Sequence, residues 1–334
     1  MLLSTLGFEA NVIIRALSAL LTSLVLALVL GKPVIALLHK HQHHGQPIRT
    51  DGPQSHLQTK QGTPTMGGLL ILGTAILSIL LYANTSYHFV WVSLLVLLIY
   101  GLTGFIDDYI KVTKETPNAL TAKAKLFIQF MTAVMVATII TAATPNASSN
   151  ILYFPYFRFI FNLSWLYIPF AVIVISGASN GVNLSDGLDG LATGLLILSF
   201  TFFGVMAYIV GNPIALNFAF PYIPRSAEMA VVCASIVGSC LGFLYYNAPK
   251  AKVFMGDTGS LALGAVMGTI AIITHREVTL LIVAFVFVIE TLSVIIQVFW
   301  YKNFHKRLFL MTPIHHHFQK LGWSEVEIVR TFWV

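Results

Sequence analysis

Charge is scarce in this sequence. Asp, Glu, Lys and Arg make up 10% of its 334 residues against 57% apolar residues, and the mean hydropathy is +0.81. That balance excludes a soluble enzyme carrying a single anchor, because the apolar residues recur in runs near the ~20 residues that cross ~30 Å of hydrocarbon as a helix. Cysteine is nearly absent: Cys233 and Cys240 sit in one apolar stretch, so no disulfide framework exists and both read as core residues. Met1 to Asn11 lacks a basic n-region, and the apolar stretch after it exceeds a signal-peptide core of about 7–15 residues, so it is expected to be a retained first span. Although the net charge is +6, no basic run interleaved with aromatics occurs, which excludes a nucleic-acid partner. There is no fixed-period repeat, no heptad seam and no low-complexity tract beyond the His-rich stretch at 39–44.

Apolar windows predict nine spans, near 12–38, 65–82, 89–106, 124–143, 165–180, 188–210, 228–246, 260–274 and 278–301. The fold class that follows is all-α: a polytopic integral membrane helix bundle, one domain over 1–334 with polar loops near 39–64, 107–123, 181–189, 247–259 and 302–323. Thirteen Lys and Arg residues lie in the odd-numbered intervals between spans, and only Arg158, Arg225 and Arg276 in the even ones. By the positive-inside rule the odd intervals are cytoplasmic and the N-terminus is outside. Ser324–Val334 opens like another helix, with Val326, Ile328, Val329, Phe332 and Trp333, but eleven residues rising ~1.5 Å each do not cross a bilayer. A short or truncated tenth helix is therefore expected.

The even intervals hold no aspartate. All six, Asp51, Asp107, Asp108, Asp186, Asp189 and Asp257, fall in or beside the odd ones. Carboxylates held against a bilayer are costly unless paired or metal-bound, so the distribution points to one shared site rather than to solvated loops. Asp107 and Asp108 close the third span, and adjacent helical residues point about 100° apart, so one faces a site while Lys111 or Lys114 holds the other. Asn180 to Gly190 is the densest polar stretch, and Asn183, Asp186 and Asp189 in it suit a sugar, a nucleotide or Mg²⁺; a plain turn with an Asp cap needs fewer polar groups. Phe254 to Ser260 feeds a Gly256-containing turn into a helix N-terminus whose free N–H groups favour anions. There Asp257 would hold a Mg²⁺ bridging a diphosphate, the plainer reading being helix caps at Thr258 or Ser260. The segment lacks the Lys and the spacing of a Walker loop.

Pro313 to Phe318 carries His315, His316 and His317. Consecutive imidazoles do not form the i, i+4 pair of a zinc helix, so hydrogen bonds to phosphate or acid/base help fit better. His39, His41, His43 and His44 read as a solvated loop. Gly62 to Gly68 opens the second span, preceded by Asp51, Ser55 and His56, with Arg49 and Lys60 placed to steer an anionic ligand. Glu290, deep in an apolar stretch, faces the bundle interior in a structural or a functional role. Asn183-Leu184-Ser185 matches a glycosylation acceptor but lies on the cytoplasmic side by the charge count, so that match is discarded.

Together, Gly62 to Gly68, Asp107-Asp108, Asn183 to Gly190, Phe254 to Ser260 and Pro313 to Phe318, in order between about residues 12 and 333, resemble the bacterial phospho-N-acetylmuramoyl-pentapeptide transferases, in the polyprenyl-phosphate hexose-1-phosphate transferase family. The resemblance implies transfer of phospho-N-acetylmuramoyl-pentapeptide from UDP-N-acetylmuramoyl-pentapeptide to undecaprenyl phosphate, giving lipid I and UMP. It implies Mg²⁺ as cofactor and places the reaction at the first membrane step of peptidoglycan synthesis, in the bacterial inner membrane with the active site facing the cytoplasm. It also implies Asp107, Asp108, Asp257 and His315 as the catalytic centre, Asp257 as the metal ligand, and Lys111, Lys123, Asn183, Asp186, Asp189, Gly256, His316 and His317 along the substrate site. A homodimer is compatible with it. Relatives of this kind have ten spans, against nine complete ones here.

A lipid phosphate attacking a diphosphate brings several negative charges together, so metal-binding acids and phosphate-binding lysines belong on one face. Direct displacement, with Asp107 orienting or deprotonating the lipid phosphate, is the expected mechanism; a covalent phospho-aspartate route is its rival. Transfer of N-acetylglucosamine-1-phosphate to the same lipid is a second activity, with the His-rich loop after Thr312-Pro313 favouring the muramoyl branch. A secondary transporter would place its ionisable residues near the bilayer midplane, not at one leaflet.

Overall fold

The computed structural model describes residues 11–42, 45, 62–116, 119–144, 150–154, 159–218 and 220–334. His43, His44, Arg49, Asp51, Ser55, His56 and Lys60 lie outside the described residues. The chain forms α1 (Val12–His41), α2 (Gly68–Tyr82), α3 (His88–Thr113), α4 (Ala122–Ala143), a hairpin of β1 (Ile151–Phe154) and β2 (Phe159–Asn162), α5 (Tyr167–Ser185), α6 (Leu191–Val210), α7 (Met229–Asn247), α8 (Gly256–Ile273), α9 (Glu277–Val283), α10 (Phe285–Phe304), α11 (Ile314–Lys320) and α12 (Glu325–Trp333). Among the described residues eight helical segments are long and apolar enough to cross a membrane, and α2 is apolar but shorter. Each expected span coincides with a helix, so the all-α membrane bundle is the fold. Three features differ from the expectation, the first being that His39 and His41, expected in a solvated loop, form the last turn of α1. The ninth span is broken at Ala284 into α9 and α10, and an antiparallel hairpin pairs Ile151 with Asn162 through Phe154 with Phe159.

The sorting of helices into core and periphery follows from side-chain size. In α8 every residue except Asp257 is buried, because its Gly, Ala, Ser and Thr residues let neighbouring backbones come close on all sides. It packs chiefly against α3 and α5. At Gly104 of α3 the approach is so tight that a Cβ there would strike the carbonyl of Asp257. The outer helices carry the opposite pattern: Leu17, Leu21 and Val25 of α1, Phe127 and Phe130 of α4 and Ile295 and Phe299 of α10 are exposed. Such a surface is stable only in hydrocarbon.

α8 has 18 residues, so at ~1.5 Å per residue its two ends lie ~27 Å apart. Asp257 stands at one end and His275 just beyond the other. The His275 end is held by buried polar contacts. Arg15 pairs with Glu228, which also accepts from the Asn84 amide at 2.9 Å, joining α1, α7 and the α2–α3 turn. The Arg276 guanidinium lies over the rings of Tyr153 and Phe220, 5.0 and 4.4 Å from their centroids. Tyr167 donates to Glu277 at 2.5 Å.

Burial raises the Glu277 carboxyl from its ordinary 4.5 to about 8 and lowers the His275 imidazole from 6.5 to about 4. The Glu277 contribution to stability is complete below about pH 4.5 and lost as pH rises through 8; that of His275 is complete above about 6.5 and lost as pH falls through 4. Gln at position 277 still accepts from Tyr167 and cannot ionise. The thermal midpoint of Glu277→Gln is therefore expected to stay level from about pH 6.5 to about pH 8, where that of the unaltered protein declines. Parallel decline in both would contradict this assignment.

Candidate active site

The site is assembled around the N-terminus of α8 by the last turns of α3, the first turns of α4 and the end of α5. Asp107 and Asp108 diverge around the α3 axis as neighbouring helical residues must. Asp108 turns toward α8 and accepts from the Thr258 amide at 3.0 Å, the Thr258 hydroxyl at 2.8 Å and the Asp257 amide at 3.2 Å. It thus satisfies N–H groups that the first turn of a helix leaves without intrahelical partners.

Asp107 turns toward two lysines. Its Oδ2 lies 2.7 Å from Nζ of Lys111, one turn further along α3, and 2.7 Å from Nζ of Lys125 on α4. Its Oδ1 accepts from the Leu120 amide at 2.9 Å, fixing the approach to α4. Asp257 Oδ2 meets the same ammonium groups, Lys125 at 2.6 Å and Lys111 at 3.1 Å. Its Oδ1 accepts from Asn183 Nδ2 at 2.9 Å, and the same Nδ2 lies 2.9 Å from Ser260 Oγ. Asp107 and Asp108 side chains are 1% exposed, whereas Asp257, Lys111 and Lys125 are 14%, 15% and 22% exposed. The charged cluster therefore opens to its surroundings on the Asp257 and lysine side.

Two backbone segments frame this cluster. The strand-like run before α2 pairs with the run before α8: the Phe254 amide donates to Pro64 at 2.9 Å, and the Gly67 and Gly68 amides donate to Phe254 and Met255 at 2.8 Å each. Gly256 then turns at φ +73°, where a Cβ would lie 2.5 Å from Asp108 Oδ2, so only glycine fits. On the other side, Asp186 Oδ2 accepts from the Gly256 amide at 3.2 Å and Asp189 Oδ2 from the Ala251 amide at 3.0 Å. The Asp189 amide donates to Glu325 of α12 at 2.7 Å. The polar 183–190 stretch thus fastens the turn that presents Asp257.

The structure brings Asp107, Asp108, Lys111, Asn183, Asp186, Gly256 and Asp257 together. His315 is buried with its ring against Gly187, and its Nδ1 lies 3.1 Å from Glu290 Oε1. Of its neighbours, His316 pairs with Gln319 at 2.7 Å, and His317 accepts from the Leu310 amide at 3.1 Å. Lys123 is exposed, and the α4 lysine that reaches the carboxylates is Lys125. The spacing held a signal for it: Lys125 stands one turn before Gln129, which is buried on the face of α4 that meets the bundle.

One oxygen from each of Asp107, Asp108 and Asp257 lies within 4.8 Å of the others. An all-carboxylate donor set of this size suits a hard divalent cation such as Mg²⁺. Asp107 Oδ2 and Asp257 Oδ2 share the two ammonium groups, so an entering cation would draw on the same oxygens. Cation and lysines are thus suited to share the charge of a multiply anionic ligand.

Residues 89–275, more than half of the chain, match the family model described as glycosyl transferase family 4, and all three carboxylates and both lysines fall inside that match. The chain belongs to glycosyl transferase family 4, and with its apolar helices it is a multi-pass membrane transferase. Residues 60–72 match the phospho-N-acetylmuramoyl-pentapeptide-transferase signature 1, which marks the chain as a phospho-N-acetylmuramoyl-pentapeptide transferase and covers the run that pairs with Phe254 and Met255.

Proposed function

We propose that the chain joins phospho-N-acetylmuramoyl-pentapeptide, taken from UDP-N-acetylmuramoyl-pentapeptide, to undecaprenyl phosphate, forming lipid I and releasing UMP. The reaction would take place at the cytoplasmic face of a bacterial inner membrane and use Mg²⁺. The observation that carries this reading is the apposition of Asp107 and Asp257 to Lys111 and Lys125 at one end of the bundle. Two anionic substrates must meet there, one from water and one from the bilayer.

In a direct displacement, an oxygen of the lipid phosphate bonds to the sugar-bearing phosphorus. The bond from that phosphorus to the bridging oxygen breaks, and UMP leaves with the electron pair. Lys111 and Lys125 hold phosphate oxygens once these replace the carboxylates as partners. Asp107 orients the lipid phosphate and accepts its proton where it arrives protonated. Asn183 orients Asp257, while Asp108 keeps α8 and its first turn in place. Asp257, with Asp107 beside it, would hold Mg²⁺, which supplies neutralisation of the diphosphate charge.

The test is UMP release by the purified protein with and without undecaprenyl phosphate, with and without Mg²⁺, and with UDP-N-acetylglucosamine as the alternative donor. Release is expected only with the muramoyl donor, the lipid and the metal together. Turnover of the N-acetylglucosamine donor in its place, or substrate uptake into vesicles without UMP release, would overturn the reading.

A further inference from the structure

Glu290 lies in α10, is fully buried, and takes no part in the ion pairs around Asp257. A carboxylate at that depth is retained only with dedicated partners. Among the described residues both partners of its side chain belong to His315: Oε1 lies 3.1 Å from the ring Nδ1, and Oε2 accepts from the His315 backbone amide at 3.4 Å. We propose that Glu290 is a positioning residue for the transferase, fixing His315 with its proton on Nδ1 so that Nε2 is the nitrogen offered to the substrate beside Gly187. The proposal rests on the reading of His315 as part of the transferase centre and adds to it the group that sets the tautomer.

The argument is one of donors and acceptors. The backbone N–H of His315 can only donate, so it requires an acceptor oxygen. As a carboxylate, Glu290 offers only acceptor oxygens, so the ring nitrogen facing the second of them carries the hydrogen in this pairing. His315 Nε2 is buried and has no hydrogen-bond partner among the described residues. It points at the loop between Asp186 and Leu188, where a Cβ on Gly187 would lie 2.5 Å away. Asp186 in turn accepts from the amide of Gly256, the residue before Asp257. Nε2 therefore packs against the backbone of Gly187, in the loop whose Asp186 holds the turn before Asp257, and only glycine at 187 allows that approach.

Gln at position 290 tests this with little change of shape. Its single oxygen must serve the backbone N–H, which turns the amide nitrogen, a donor, toward Nδ1. The ring then has to accept there and carry its proton on Nε2. In ¹⁵N NMR of protein labelled at histidine, with the resonances of residue 315 assigned by their loss in His315→Gln, the unaltered protein should show a protonated Nδ1. Glu290→Gln should show a protonated Nε2.

Kinetically, Glu290→Gln should lower kcat by about a hundredfold while KM for the UDP-linked donor changes by less than about threefold. A protonated Nε2 with a bare Nδ1 in the unaltered protein would overturn the proposal without any variant, as would a kcat for Glu290→Gln within about threefold of native. Unchanged kcat in His315→Gln would overturn the placement of His315 in the centre. The tautomer signal would still report on the pairing, so the two failures are distinguishable.

Discussion

UMP release by an Asp257→Asn variant is expected to fall by at least about a thousandfold, with no recovery when Mg²⁺ is raised. Asn preserves the volume and can still accept from Asn183, but it removes the charge that faces Lys125 at 2.6 Å and Lys111 at 3.1 Å. Its amide hydrogens are directed at ammonium groups or at an incoming cation, and both are repelled. The ammonium groups then rely chiefly on Asp107, at 2.7 Å from each, with Asp108 Oδ1 a further 3.9 Å contact of Lys111, and Asp107 becomes less available to substrate or metal.

The fold should survive, because the α8 terminus is satisfied by Asp108 through Thr258, contacts that the substitution does not touch. The measurement pairs a Mg²⁺ titration of UMP release with a thermal midpoint for the same preparation. Activity within about tenfold of native at ordinary Mg²⁺ would remove Asp257 from the metal site.

The second large effect separates two lysines of one helix. Lys125→Ala is expected to lower kcat/KM by about 10²–10³-fold, whereas Lys123→Ala should change it by less than about threefold. Lys125 Nζ bridges Asp107 and Asp257 at 2.7 and 2.6 Å, and its loss leaves two close carboxylates with one fewer cation between them. Lys123 is exposed on the same helix. Measured side by side under one salt concentration, equal losses in the two variants would mean that general attraction of an anionic donor dominates. That result would sink the assignment of a specific phosphate contact to Lys125.

Much of this molecule is readable along the chain. Apolar run length predicts where helices cross, since bilayer thickness sets a minimum of about 20 residues, and the helices form at those runs. The divergence of Asp107 and Asp108 follows from helix geometry alone. The importance of the Phe254 to Ser260 turn is evident from a glycine-flanked acid that opens a helix.

Other features depend on which elements meet. Asp108 reaches Thr258 while Asp107 reaches the lysines because α3 is rotated so against α8. Lys125 rather than Lys123 enters the site because that face of α4, marked by Gln129, turns inward. Glu290 acquires its meaning only when the chain returns through α11 and sets His315 against it. The break at Ala284 is likewise invisible in an apolar run that satisfies the length of one span.

The sequence by itself therefore determined that the chain is a membrane helix bundle with its aspartates gathered in one set of loops, because hydrophobic transfer and run length are properties of each segment alone. Only the tertiary structure decided which carboxylate meets which lysine and which nitrogen of His315 is held. Those pairings act over about 3 Å, and a rotation of one residue, some 100° about a helix axis, exchanges one partner for another.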